Sequence, residues 1–191
     1  TIFNKGTLSG DGSIAAPTEV YGTIAPAGTL HFANYKATTS TVKVTLHPEA
    51  NIVCTVKSAT EYAQLEISGT LARNGKTEEF EDSEEMPSLT IALAEDATLA
   101  VGDELTLLTA TQKSGTDWNL HIRYPQAYTW AVELRQEEEG SFSVVARVTS
   151  LAYGNQGEGN EEGGQEEENK GYPDDDWTFD LTDKTPLRTY A

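Results

Sequence analysis

Along residues 1–153 apolar and polar side chains alternate in short runs, each closed by Gly, Pro, Asn or Asp. A period of two puts successive residues on opposite faces of a strand, so each run predicts a strand with one face inward. The runs fall at 18–21, 29–32, 41–46, 64–68, 89–93, 105–108, 120–124, 129–134 and 142–148, with a further strand-like run at 51–56. No stretch carries the 3.6-residue period of an amphipathic helix. A short phrase, Gly-Thr-aliphatic, recurs inside this pattern. It stands at Gly6-Thr7-Leu8, Gly22-Thr23-Ile24, Gly28-Thr29-Leu30 and Gly69-Thr70-Leu71, with a variant at Ala97-Thr98-Leu99. Gly turns the chain, β-branched Thr suits a pleated strand, and the following Leu or Ile points into a narrow core. Short strands with a repeated phrase predict an all-β solenoid, a stack of coils with a long surface.

The pattern stops at residue 153. Residues 154–176 are Gly, Glu, Asn and Asp in low complexity, a composition that buries no core, and read as an acidic disordered-type linker. Residues 177–191 mix apolar and polar residues again, and Thr185-Pro186 has the form of a helix start, Thr at the N-cap and Pro at the first helical position. They read as the start of a following domain, with Trp177 packing there. The acidic run Glu78 to Glu85 reads as a solvated loop outside the solenoid wall, or alternatively as a cation site.

Composition narrows the possibilities. The formal charge of −18 divides into −10 over residues 1–153 and −8 over residues 154–191. Both parts repel polyanions, which disfavours nucleic acid and anionic membrane as partners. A neutral polymer is compatible with this charge. The lone Cys54, inside the run at 51–56, allows no internal disulfide and reads as a small buried hydrophobe, not a nucleophile. No apolar run is long enough for a transmembrane helix, and no signal peptide is visible. The opening at Thr1-Ile2-Phe3 is already in a strand-and-turn pattern, which reads as a piece of a longer protein.

Two resemblances extend this reading. Asn4-Lys5-Gly6-Thr7-Leu8-Ser9-Gly10-Asp11-Gly12 followed by Tyr21-Gly22-Thr23-Ile24-Ala25-Pro26-Ala27-Gly28-Thr29-Leu30 resembles the final coils of right-handed parallel β-helices of the autotransporter-passenger type. Gln64 to Leu71 and Leu99 to Leu108 fit the same pattern. At the other end, Thr185-Pro186-Leu187-Arg188-Thr189-Tyr190-Ala191 resembles the segment that opens catalytic domains of glycoside hydrolase family 10, the xylanases. Together, a β-helix, an acidic linker and a xylanase-like opening resemble the family 89 carbohydrate-binding modules. That resemblance implies a right-handed parallel β-helix that binds xylan and is covalently linked to a catalytic domain. It also implies a secreted or cell-surface bacterial enzyme, working as a monomer.

A pyranose stacks its C–H face on an exposed aromatic ring while polar neighbours bond its hydroxyls. The aromatic-rich segment is Asp117 to Trp130. Trp118, Leu120, Ile122 and Tyr124 share one face, and Tyr128, Trp130, Val132 and Leu134 share another. Trp118, Tyr124 and Tyr128 lie beside turns and are the candidate sugar platforms. Trp130, with Val132 and Leu134 behind it, reads first as core and second as a platform. His121 and Arg123 have the opposite parity and are expected to face solvent as hydrogen-bond donors. Tyr35 and Tyr62, in loop-like stretches, would extend the strip, whereas Phe32 shares parity with Leu30 and reads as core.

Catalysis finds little support. His31, His47 and His121 lack metal-ligand spacing, and there is no Gly-x-Ser-x-Gly elbow or phosphate loop. No catalytic residue and no cofactor is assigned, and a structural calcium among the acidic loops is left open. The reading is therefore a non-catalytic binding module. The alternatives are a structural spacer or adhesin stalk, and a β-helix polysaccharide lyase or hydrolase with two facing carboxylates.

Overall fold

The computed structural model describes residues 2–33, 42–74, 86–114, 119–136, 140–151 and 177–180. These form strands without an α-helix. The chain runs through β1 (Ile2–Asn4), β2 (Thr7–Ile14), β3 (Thr18–Val20), β4 (Thr23–Phe32) and β5 (Val42–Leu46). It continues through β6 (Asn51–Ser58), β7 (Glu61–Tyr62), β8 (Gln64–Arg73), β9 (Ser88–Leu93) and β10 (Glu104–Ser114). The last strands are β11 (Asn119–Arg123), β12 (Tyr128–Gln136), β13 (Phe142–Leu151) and β14 (Trp177–Asp180). Every run that alternation predicted lies in one of these strands, apart from Tyr21 and Tyr124, one residue past β3 and β11, and Thr41, which lies outside the described residues. The variant phrase Ala97-Thr98-Leu99 does not; it is irregular chain between β9 and β10.

All the strands belong to one curled sheet, and nine of the thirteen pairings among the described residues are parallel, so the sheet is mostly parallel. The parallel strands form three ladders that the chain visits repeatedly in one order. The first ladder stacks β1, β3, β5 and the end of β8, and closes on the end of β10. The second stacks the starts of β2 and β4, then β6, β9 and β11. The third stacks the ends of β2 and β4, the start of β8 and the middle of β10. Long strands thus serve two ladders and bend between them; β2 does so at a bulge between Gly10 and Gly12.

Register turns the repeated phrase into a core. Leu8, Ile24, Ile52, Leu89 and Ile122 are directly aligned in the second ladder. Leu30, Leu65 and Leu108 align in the third, beside Ile14, Phe32, Ile67 and Ala110. All but Leu8 and Ile14, which are half-buried on β2, are buried in one cluster. Each fully buried Leu, Ile or Phe contributes about 1.5–3 kcal/mol relative to exposure.

Four pairings are antiparallel, which alternation alone does not distinguish. β10 pairs with β13, and β13 with β12, forming a flap on the third ladder. β7 pairs with β6, so Tyr62, expected in a loop, is in a short strand. β14 pairs with β11, Leu120 opposite Phe179 and Ile122 opposite Trp177. Trp177, expected in a following domain, therefore has its backbone on the edge of this sheet. The linker at 154–176, the acidic run at 78–85 and the helix start at Thr185-Pro186 lie outside the described residues.

Candidate functional site

The predicted aromatic strip does not assemble among the described residues. Trp118 and Tyr35 lie outside them. Trp130 is 7% exposed and belongs to the core, which overturns its platform role; Tyr128 packs edge-on against it, ring centroids 5.9 Å apart. Tyr124 and Tyr128 are half-buried, leaning on the core. Tyr62 is also half-buried, and its hydroxyl accepts from the Thr106 amide at 3.4 Å. Arg123 is exposed, as parity predicted. His121 is not: it is 3% exposed, although it faces away from Leu120 and Ile122. Parity separates the two faces of the sheet, but a residue on the outer face can still be covered. His121 aligns with Ser88, also buried, and Ser88 aligns with Asn51. Ser88 Oγ and Thr90 Oγ1 both donate to Asn51 Oδ1 at 2.9 Å, so this row is a structural hydrogen-bond network.

Tyr21 is taken up by a second row at the corner between the first two ladders. The residues following Asn4, Val20, Leu46 and Arg73, which share register, are Lys5, Tyr21, His47 and Asn74. The Tyr21 and His47 rings stack with centroids 3.6 Å apart, and Lys5 Nζ is 5.7 Å from the Tyr21 centroid. His47 Nε2 is 2.8 Å from Glu19 Oε2, and its Nδ1 is 3.3 Å from Asn74 Nδ2. The two rings thus spend one face each on a contact between neighbouring strand ends.

The outer face of the third ladder is different. Ser13, His31, Glu66, Thr109, Ser143 and Arg135 are successive register partners on β2, β4, β8, β10, β13 and β12. His31 and Glu66 are each about one third exposed, with Nδ1 to Oε2 at 3.0 Å. Gln64 Nε2 donates to the other carboxylate oxygen of Glu66 at 2.7 Å and to Thr29 Oγ1 at 3.0 Å. Both Glu66 oxygens are thereby oriented. Beside them is a groove of about 250 Å³ lined by Glu66 to Ser68, Thr109 to Thr111 and Ser141 to Ser143. At the far end Arg135 forks onto Glu104 (2.6 and 2.8 Å) and reaches Glu133 at 2.9 Å. The Arg135 hydrogen bonds hold the Glu104 carboxyl below its usual range and push the guanidinium further up. Sequence alone does not reveal this row, because successive members are 8 to 43 residues apart along the chain and only register aligns them.

Cys54 is buried as expected, its thiol pushed up to about 12 by desolvation. Among the described residues no three His, Cys, Asp or Glu side chains gather as metal ligands, and no helix is long and apolar enough to cross a membrane. No protein-family model matches the chain, and no curated protein matches it.

Proposed function

We propose that this chain is a non-catalytic carbohydrate-binding module for xylan, built as a right-handed parallel β-helix. The fixed order in which the chain visits three parallel ladders supports the coil. The single observation that carries the binding reading is the polar row on the third ladder. It offers hydroxyl, imidazole and carboxylate groups at the strand spacing of about 4.8 Å, close to the length of one pyranose residue. Hydroxyl-for-water exchange is nearly balanced, so binding is weak per site and gains its value from tethering. A covalently linked xylanase-type domain would be held near plant cell-wall polymer, outside a bacterial cell, with its second encounter effectively intramolecular.

One observation favours a structural spacer instead: no three exposed aromatics line up among the described residues. Native affinity electrophoresis through gels containing xylan, β-glucan, pectin or no polymer separates the readings. The module reading expects retardation by xylan with no reducing sugar released. Free migration in every gel would leave the spacer, and release of sugar would make the chain an enzyme.

A further inference from the structure

We propose that the sugar lies along the polar row of the third ladder, as a neutral pyranose chain running across the strands with a vicinal diol held by Glu66. This rests on the carbohydrate-binding reading above and adds the place, the orientation and the charge class of the ligand.

Length comes first. Six residues from Ser13 to Arg135 align over six strands, and five strand spacings of about 4.8 Å give a track of ~24 Å, the length of a short oligosaccharide. The middle of the track sinks into the groove between β8, β10 and β13, where Ser68, Thr109, Thr111 and Ser143 supply hydroxyls. A hydroxyl donates and accepts, which suits a ligand that is itself a ladder of hydroxyls.

Glu66 sets the chemistry. His31 and Gln64 each hold one of its oxygens, so the carboxylate is oriented before any ligand arrives. Each oxygen keeps further acceptor capacity, and two adjacent oxygens match two adjacent hydroxyls through charge-assisted bonds. Pre-orientation removes an ordering cost that weak sites otherwise bear. The same carboxylate disfavours a uronate. Arg135, the guanidinium of the row, already faces two carboxylates, Glu104 and Glu133, and adds little positive field. Unsubstituted or neutrally substituted chains are therefore preferred to glucuronate-bearing ones.

The test uses the full 191-residue chain with Glu66→Ala, Glu66→Gln and Thr109→Val, electrophoresed through neutral arabinoxylan and through glucuronoxylan. Circular dichroism melting checks that each variant folds. Wild type is expected to be retarded more by the neutral polymer. Glu66→Ala should weaken that binding at least tenfold, and Thr109→Val, which keeps the side-chain shape, several-fold. Glu66→Gln should narrow the gap between the two polymers. If folded Glu66→Ala and Thr109→Val are both retarded like wild type, or Tyr124→Ala alone abolishes retardation, the site is elsewhere and the inference fails. Wild-type migration unaffected by any polymer sinks the carbohydrate reading and this inference with it.

Discussion

A methyl group at Gly22 would overlap the carbonyl oxygen of Gly6, one coil away, and would stand 2.8 Å from the Lys5 carbonyl carbon. At Gly69 it would overlap the Val42 carbonyl oxygen and stand 2.9 Å from two further Val42 backbone atoms. Backbone held in a ladder has nowhere to retreat, so Gly22→Ala and Gly69→Ala should each destabilise by about 1–3 kcal/mol. Gly6 carries the same phrase but meets nothing within 4 Å, and Gly6→Ala should stay within about 0.5 kcal/mol of wild type. Urea midpoints would check this, and equal midpoints for all three variants would refute the stacking argument. The sequence showed that these glycines turn the chain. It could not show that two of them also let neighbouring segments of the sheet approach closely, since that depends on which segment lies alongside. Cys54 is a simpler case. Its thiol, raised to about 12 by burial and 3.7 Å from the Leu107 carbonyl oxygen, stays protonated at neutral pH. Ellman's reagent at pH 8 should label it only after denaturant is added; rapid labelling of the native chain would contradict the buried assignment.

Among elements, the β12–β13 hairpin departs most from the coil that the repeat suggested. Alternation located both strands, because each buries one face: Trp130 and Val132 on one, Phe142, Val144 and Val148 on the other. Strand direction left no trace in that pattern, since side-chain parity is the same for parallel and antiparallel neighbours. The same limit explains His121. Its outward parity was legible, but its burial depends on what lies over β11. Trp130 gives this hairpin its sharpest test. The side chain is buried, yet its Nε1 has no hydrogen-bond partner among the described residues. Truncation to Ala should cost about 3–5 kcal/mol through lost contact and a cavity. Replacement by Phe removes the unsatisfied N–H together with some area, and should cost less than about 1.5 kcal/mol. Thermal melts compare the two; a Phe variant as unstable as the Ala variant would mean that the indole N–H has a role in holding the flap.

Across the described residues, the two ends of the curled sheet are finished differently. At one end the third ladder runs into the β13–β12 hairpin, and β11, last in the second ladder, pairs with β14. At the other end, among the described residues, β1 pairs only with β3, and β2 only with β4. Side chains follow suit: Leu8 and Ile14 are half-buried where their ladder partners Ile24 and Phe32 are fully buried, and Phe3 is 64% exposed. A strand with one ladder neighbour opens at lower free energy than a strand with two. Amide hydrogen exchange should therefore be fastest in β1 and β2, and slower in β3, β4, β8 and β10, which have neighbours on both sides. Glu66 belongs to the slow part, and its partner His31 lies on β4, so the proposed sugar track would rest on backbone that opens only with the global transition. Ser13, at the β2 end of that track, would lie on the fraying strand and contribute least to binding. Uniform protection from β1 to β13 would contradict this picture, since it would require β1 and β2 to be held by something other than their pairings with β3 and β4.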